Sequence, residues 1–339
     1  MIQEAIETVV EGRNLTYDMA LGAMRDIMNG EANEAQMGAL LGALRLKGES
    51  IEEITGFAQG MREKAVPVAH EQDVFEIVGT GGDKANTFNI STTAGFVIAA
   101  GGVPVAKHGN RSVSSKCGAA DCLEALGVQL GIPGEANQKV LAEVGMCFMF
   151  APLYHSSMKY AAPVRKALGI RTVFNVLGPL TNPAGATKQL MGVYDRQLVE
   201  PLAQVLANLG VTRGAVVHGF DGLDEITACD KTYVCEINEG QLTSYILDPA
   251  EYGLPYAKSE ELVGGDGAVN AAITRAILEG EKGPRRNAVL LNAGVSFHLA
   301  EPNTSIEAGL AKAARLIDEG KALAVLEALV KTTNEVVRQ

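Results

Sequence analysis

The sequence has little of what marks several common classes of protein. Its 339 residues include no tryptophan, only five cysteines and only 5% aromatic residues. The cysteines are odd in number and lack the paired spacing of a metal site, which argues against a disulfide framework and indicates reduced thiols. There are 29 basic residues against 40 acidic ones, and the resulting net charge of −11 argues against nucleic acids and anionic membranes as partners.

Long apolar runs and a secretory signal are also missing. No apolar stretch reaches the roughly 18 residues that a membrane span requires. The segment Ile2–Gly12 carries three glutamates, which is unlike the basic and then apolar start of a signal peptide. We therefore expect a cytoplasmic protein whose length supports one large or two moderate domains.

The first 66 residues show the periodicity of helices. Apolar residues recur at three- and four-residue spacing, as on the buried face of a helix, in four successive segments. These segments begin at Ile2, Tyr17, Met37 and Ile51. Capping residues precede three of them, namely Thr16, Asn33 with Gln36, and Ser50 with Glu53. The pattern predicts a small all-helical unit.

After Pro67, short β-branched runs alternate with helical patterns, which predicts an α/β domain. A buried helix is expected at Thr92–Ala100, and a capping box at Thr304 and Glu307 is expected to open the last helical segment. Strands are expected at Val74–Val78, Val103–Ala106, Cys147–Phe150 and Ala215–His218, with a hairpin formed by Thr232–Ile237 and Leu242–Leu247. The central sheet should therefore be mixed and mainly parallel.

Glycine is abundant, at about 11% of residues against an average near 7%, and it is concentrated in the stretch IVGTGGDKANTFNIST (Ile77–Thr92). This stretch joins a predicted strand to a predicted helix, where backbone amides and the helix N-terminus favour phosphate. Lys84 follows Asp83, so the stretch has neither the ending of a P-loop nor the third glycine of a dinucleotide fingerprint. Asp83 would repel phosphate but suits ribose hydroxyls, and we therefore expect a sugar phosphate.

Two further loops follow strands. The stretch AKHGNRSVSSKCGAAD (Ala106–Asp121) mixes four basic or imidazole side chains with glycine and serine, a composition that suits a di- or triphosphate. The stretch HGFDGLDEIT contains Asp221, Asp224 and Glu225, whose oxygens could hold Mg²⁺ together with substrate phosphates.

Five motifs, in order along the chain, resemble those of the anthranilate phosphoribosyltransferase family. They are GTGGD (Gly79–Asp83), NIST (Asn89–Thr92), KHGNRSVSS (Lys107–Ser115), VRKALGIRTVFNVLGPLTNP (Val164–Pro183) and DGLDE (Asp221–Glu225). The resemblance implies the nucleoside phosphorylase-like phosphoribosyltransferase fold and a homodimer formed through the helical domain. It also implies a helical domain of residues 1–66, joined in space by roughly 164–190, and an α/β domain of 67–163 and 191–339.

The resemblance also implies roles for individual residues. Mg²⁺ is expected at Ser91, Asp224 and Glu225, and anthranilate at Gly79, His108, Asn110, His155 and Arg165. Ala119 stands where the family often has serine, so any contact there would use the backbone. The residues expected to bind phosphoribosyl pyrophosphate are Gly79, Gly82, Asp83, Thr87, Asn89, Ile90, Ser91, Thr92, Lys107, His108, Gly109, Asn110, Arg111, Ser112, Val113, Ser114, Ser115 and Ala119.

The implied reaction transfers the 5-phosphoribosyl group to the amine of anthranilate and releases pyrophosphate, the second step of tryptophan biosynthesis from chorismate. An aniline nitrogen is an uncharged nucleophile, and we therefore expect no dedicated acid or base. Two alternatives stay open: a pyrimidine nucleoside phosphorylase, which would not need the Asp224–Glu225 pair, and a non-catalytic protein that binds a sugar phosphate.

Overall fold

The computed structural model describes residues 1–112 and 116–337. The N-terminal unit consists of helices α1 (Ile2–Val10), α2 (Tyr17–Asn29), α3 (Glu34–Lys47) and α4 (Ile51–Arg62). Both expected capping boxes form, and Thr16 accepts a hydrogen bond from the amide of Met19. The four helices and their three caps are thus confirmed.

One buried carboxylate joins the start of α4 to the segment before α2 and to the end of α3. Glu53 in α4 is fully buried and accepts hydrogen bonds from the amides of Leu15 and Ser50. It also forms an ion pair with Lys47. Because a buried charge is costly unless it is paired and hydrogen bonded, this arrangement fixes the register of α4 against its neighbours.

The larger unit is built on a seven-stranded sheet in the order β3-β2-β1-β4-β5-β6-β7. The first five strands in that order are parallel, and the last two pairings are antiparallel, as expected for a mixed sheet. The strands are β1 (Phe75–Gly79), β2 (Val105–Gly109), β3 (Met146–Phe150), β4 (Lys188–Gly192), β5 (Arg213–Gly219), β6 (Thr232–Asn238) and β7 (Gln241–Leu247). Strand β4 lies in the centre of the sheet and was not predicted.

Helices cover both faces of the sheet, which makes this unit an α/β domain. The helices that follow α4 in the chain are α5 (Ile90–Ala100), α6 (Ala119–Ala125), α7 (Gly134–Val144), α8 (Ala151–Tyr154), α9 (Met158–Leu168), α10 (Phe174–Leu177), α11 (Val199–Asn208), α12 (Ser259–Leu262), α13 (Gly267–Leu278), α14 (Pro284–Ala300), α15 (Ile306–Asp318) and α16 (Lys321–Val337). Of these, α9 and α10 pack against the N-terminal helices. No helix within the described parts of the chain combines the length and apolarity that a membrane span requires.

The start of α15 corrects one expectation. Ser305, not Thr304, caps the helix, because its hydroxyl accepts a hydrogen bond from the amide of Ala308. The Thr304 hydroxyl instead donates to Glu301 in the preceding turn. The predicted capping box at Thr304 was therefore wrong by one residue.

Apolar residues of α9 and α10 share one core with those of α1 to α4 and α11. Arg62 at the end of α4 reaches the same region, where it donates hydrogen bonds to the carbonyls of Leu180 and Leu209. The helical unit and the segment that includes α9 and α10 therefore face the carboxyl ends of the parallel strands together.

Candidate active site

A cavity of about 1270 Å³ opens between the carboxyl ends of the parallel strands and helices α9 and α10. In open α/β sheets this edge is where ligands bind. Every residue expected in the site lines the cavity, except Val113, Ser114 and Ser115, which lie outside the described residues. The lining includes Gly79, Gly82, Asp83, Thr87, Asn89, Ile90, Ser91, Thr92, Lys107, His108, Gly109, Asn110, Arg111, Ser112, Ala119, His155, Arg165, Asp224 and Glu225.

The glycine loop after β1 needs its glycines for two different reasons. Gly81 and Gly82 have φ angles of 71° and 81°, which side chains rarely adopt. At Gly79 the reason is space, because a Cβ would overlap the carboxylate of Asp224. The sequence led us to expect that this glycine clears room for substrate, whereas in the structure it clears room for an acidic side chain.

The two acids of the β5–β6 connection face this loop and the start of α5. Asp224 accepts a hydrogen bond from the Gly81 amide at 2.5 Å, and Glu225 accepts one from the Ser91 amide at 3.2 Å. Burial, followed by the charges of Asp83 and Glu225, raises the pKa of Asp224 well above its ordinary value. Burial raises the pKa of Glu225 to about 7.

Lys107 supplies a buried positive charge close to Ser91 and within the electrostatic reach of Glu225. Its side chain is almost fully buried, and its ammonium donates to the carbonyl of Ile77 at 2.6 Å and to the hydroxyl of Ser91 at 3.2 Å. Burial lowers the pKa of Lys107, although Glu225 and Glu76 act in the opposite direction. In this arrangement Lys107 is a fixed countercharge behind Ser91.

Asp224 and Glu225 suit a divalent cation whose remaining ligands come from the substrate and water. Within residues 1–112 and 116–337, no group of three or more His, Cys, Asp or Glu side chains forms a ready metal cage. Mg²⁺ is typically held by one or two carboxylates plus substrate phosphates and water. The raised pKa values of Asp224 and Glu225 indicate negative charge for which the surrounding protein compensates incompletely, as expected at such a site.

A pair of histidines forms the opposite wall. The rings of His108 and His155 lie 5.0 Å apart at an angle of 57°. Burial lowers the pKa of His108 to about 3 and that of His155 to about 4, so both imidazoles are neutral at physiological pH. Hydrogen bonds to the carbonyls of Gly178 and Thr181 act against these shifts, and the Nε2 atoms of both rings have no partner in the described structure.

Arg165 projects into the cavity from the last turn of α9. Its guanidinium carbon lies 5.2 Å from the centre of the Phe174 ring, and burial lowers its pKa. No carboxylate within the described chain forms an ion pair with it, which leaves its hydrogen-bonding fork available for an anion. Asn110 lies on the basic loop, where its Oδ1 accepts the amide of Arg111 at 2.7 Å.

Sequence reasoning did not assign Lys84, Lys159 or Arg171 to the site, although all three line the cavity. Arg171 follows α9, donates to the Gly82 carbonyl at 2.6 Å, and lies 3.8 Å from the centre of the Tyr194 ring. It lies within the segment Val164–Pro183 that carries the resemblance, but nothing in the local pattern relates it to a loop 89 residues earlier. Arg171 thus links the helical side of the cavity to the glycine loop.

The fold and this site are those of a glycosyl transferase. Residues 71–323 match the family described as the glycosyl transferase family, a/b domain, and residues 3–65 match its helical bundle domain. An anthranilate phosphoribosyltransferase of Lachnoclostridium phytofermentans is 55% identical over 98% of this chain and 99% of its own length. One from Methanobrevibacter smithii is 54% identical over 98% of this chain and the whole of its own.

Comparison with solved structures points to the same family as the sequence relatives do. The anthranilate phosphoribosyltransferase of Thermus thermophilus superposes with a TM-score of 0.93 at 44% identity, covering 97% of this chain and 99% of the other. The enzyme of Saccharomyces cerevisiae, solved in complex with PRPP and Mg, gives 0.89 at 28% identity over 98% of both chains. The chain belongs to the anthranilate phosphoribosyltransferase family, so the resemblance carried by its motifs is confirmed. These matches favour the transferase over the phosphorylase and the non-catalytic protein.

Proposed function

We propose that this chain transfers the 5-phosphoribosyl group from phosphoribosyl pyrophosphate to the amine of anthranilate. The products are N-(5-phosphoribosyl)anthranilate and pyrophosphate. The observation that carries the proposal is the division of one cavity into two chemically different walls. One wall offers glycine-loop amides, a helix N-terminus and two acids. The other offers neutral imidazoles and an arginine that forms no ion pair with a carboxylate among the described residues.

The first wall suits the sugar phosphate. The loop around Gly81 and Gly82 and the first turn of α5 present backbone amides to anionic oxygens, for which a helix N-terminus is favourable. Asp83 lies in the same loop, where its carboxylate can accept hydrogen bonds from ribose hydroxyls. These groups hold the ribose so that its C1 faces the second wall.

Mg²⁺ would be held by Asp224, Glu225 and the Ser91 hydroxyl, and when bound it supplies positive charge for the departing pyrophosphate. Lys107 holds the Ser91 hydroxyl in position and supplies positive charge near Glu225, because its ammonium is fixed between strand β1 and the start of α5. This electrostatic arrangement is in place before the reaction, so little reorganisation is required when charge develops on the leaving group.

The second wall suits the acceptor. A planar guanidinium pairs with a carboxylate through two parallel hydrogen bonds, and Arg165 is placed to bind the anthranilate carboxylate in this way. The unprotonated Nε2 atoms of His108 and His155 can then accept hydrogen bonds from the amine. These contacts would direct the nitrogen lone pair toward C1, and positioning of this kind contributes a large share of the rate.

The direct test mixes the purified chain with phosphoribosyl pyrophosphate, Mg²⁺ and anthranilate and follows the loss of anthranilate fluorescence. Turnover that depends on all three additions is the expected result. Cleavage of a pyrimidine nucleoside by inorganic phosphate, without this transfer, would instead support a phosphorylase. Tight binding of phosphoribosyl pyrophosphate without turnover of either kind would support the non-catalytic alternative.

The assembly is proposed to be a homodimer formed through the helical unit. Val10 in α1 and Leu46 in α3 are 67% and 91% exposed, although both are large and apolar. Neighbouring helices that expose such residues favour a protein–protein contact. Sedimentation of Leu46→Glu alongside the unaltered chain tests this, and a monomeric variant beside a dimeric parent is the expected result.

The proposed domain division has residues 1–66 with roughly 164–190 in one body and residues 67–163 with 191–339 in the other. The common core of α1 to α4 with α9 and α10 supports the first body, and α11 of the second body packs into the same core.

The five cysteines, all of them free thiols, support a reducing compartment, and we place the enzyme in the cytoplasm on that ground.

A further inference from the structure

The two ends of the basic loop between β2 and α6 lie against each other at the cavity. We define this neck as residues 110–112 on the incoming side and 117–119 on the outgoing side. Both sides line the cavity, and residues 113–115 between them lie outside the described chain. The contacts within the neck therefore decide how these six residues face a ligand.

One carboxylate joins the two sides. Asp121, in the first turn of α6, accepts hydrogen bonds through a single oxygen, Oδ2, from the amide of Ser112 at 3.0 Å and from that of Gly118 at 2.8 Å. Its other oxygen, Oδ1, accepts a hydrogen bond from Arg111 at 2.9 Å. Asp121 itself does not line the cavity.

Backbone packing also holds the two sides of the neck together. A Cβ at Gly118 would overlap the amide of Ser112 and would lie 2.6 Å from the carbonyl oxygen of Asn110. The amide of Ala120 also donates to that carbonyl at 3.3 Å. The two sides of the neck are thus in direct backbone contact, and only glycine fits between them.

We propose that Asp121 is a positioning residue for the pyrophosphate end of the donor: it closes the neck and so holds the cavity-lining residues of the neck in place against the ligand. The pKa of Asp121 agrees with this role. Partial burial raises this pKa, but the amides of Ser112 and Gly118 and the guanidinium of Arg111 lower it by more. The pKa of Asp121 therefore lies below its ordinary value. The carboxylate is therefore ionised throughout the physiological range.

Arg111 offers a competing explanation that the structure allows to be separated. Its guanidinium also pairs with Glu124, at 2.8 and 2.9 Å, on the exposed side of α6. If binding of the pyrophosphate depended on the ion pairs of Arg111, loss of Glu124 would weaken binding as much as loss of Asp121. Exposed ion pairs are worth little, whereas loss of the acceptor at Oδ2 frees both backbone segments at once.

The test compares three variants with the unaltered chain. Asp121→Ala removes all three hydrogen bonds. Asp121→Asn retains an oxygen that can accept from both amides and loses only the contact with Arg111. Glu124→Gln weakens the hold on the Arg111 side chain without removing a hydrogen bond to the backbone of the neck. The readouts are KM for each substrate, binding of pyrophosphate with Mg²⁺ by calorimetry, and thermal unfolding.

Asp121→Ala should lower kcat/KM for phosphoribosyl pyrophosphate roughly 10- to 100-fold, as expected for loss of hydrogen bonds to a charged group, and should weaken pyrophosphate binding in parallel. KM for anthranilate should change little. Asp121→Asn and Glu124→Gln should stay within about threefold of the unaltered chain on every measure. If Asp121→Asn is as impaired as Asp121→Ala, or if both KM values rise equally, the proposal is wrong.

If Asp121→Ala does not fold, Gly118→Ala opens the neck from its other side and should give the same selective loss of pyrophosphate binding. Unchanged binding in Gly118→Ala would overturn the proposal. The proposal rests on the proposed function for the identity of the donor. The two fail separately, because absence of turnover in the unaltered chain contradicts the proposed function, while pyrophosphate binding still tests Asp121.

Discussion

Replacement of Arg165 by alanine is the sharpest test of how the acceptor is recognised. Arg165 lines the cavity on the side opposite the glycine loop, and it has no carboxylate partner in the described chain. Loss of one charge-assisted contact to a carboxylate costs about 1.5–3 kcal/mol, which corresponds to a roughly 10- to 150-fold change in binding. We expect KM for anthranilate to rise by this factor and KM for phosphoribosyl pyrophosphate to change little.

Two control variants separate the contributions. Arg165→Lys keeps the charge but loses the planar fork, so it should recover only part of the affinity for anthranilate. Lys166→Ala removes an adjacent, exposed cation and should leave both constants near their original values. Because Arg165 also packs over the ring of Phe174, thermal unfolding of each variant must be measured alongside the kinetics.

The assay is the initial rate of anthranilate consumption, with each substrate varied in turn at a saturating level of the other. Benzoate, which has the carboxylate and lacks the amine, should inhibit the unaltered enzyme competitively and Arg165→Ala only weakly. Equal increases in both KM values would refute the reasoning and would move Arg165 to the phosphates or to the support of the fold.

Three further predictions concern the acids, the glycine loop and stability. The double variant Asp224→Asn, Glu225→Gln should keep its fold and lose most turnover, and full activity of this variant, or of the unaltered chain in excess EDTA, would contradict the assignment. Gly79→Ala should weaken phosphoribosyl pyrophosphate binding and raise the Mg²⁺ concentration for half-maximal rate, because the new Cβ displaces Asp224; calorimetry showing unchanged binding would oppose this. The hydrogen bond to Glu236 raises the pKa of His298 above 6.5, and the same bond together with others lowers the pKa of Glu236 below 4.5 despite its burial. The pair therefore stabilises the fold most between pH 4.5 and pH 6.5, and this stabilisation is lost as pH rises through the folded pKa of His298. Urea unfolding of Glu236→Gln should therefore show its largest deficit near pH 5–6, and a deficit that is constant to pH 9 would exclude this origin.

The helical unit was predictable because its signals are local. Amphipathic spacing and the caps at Thr16, Asn33 and Ser50 depend only on residues three or four positions away, and each formed as expected. Helix α14 escaped notice for the opposite reason. It is buried on nearly all sides, and therefore has no polar face from which a period could be recognised.

Strand β4 and the contacts of Lys107 could not be predicted from the sequence for a different reason. Strand β4 begins with Lys188 and Gln189 and spans only five residues, so its place at the centre of the sheet depends on partners more than a hundred residues earlier and on β5 beyond it. A basic residue in a loop that follows a strand suggests a phosphate ligand. Which groups its ammonium contacts is decided by tertiary packing, and here Lys107 bonds to the Ile77 carbonyl and the Ser91 hydroxyl, within the electrostatic reach of Glu225.

The hydrogen bond from the Gly81 amide to Asp224 joins two loops that lie 143 residues apart in the chain. With Mg²⁺ bound as proposed, one carboxylate would take part in both the shape of the glycine loop and the binding of the cation. Two ligands that share such a group bind cooperatively, and the coupling is reciprocal, so each changes the affinity of the other by the same factor. An affinity for the sugar phosphate consequently has meaning only at a stated concentration of free Mg²⁺, and titrations in either order should give the same coupling free energy.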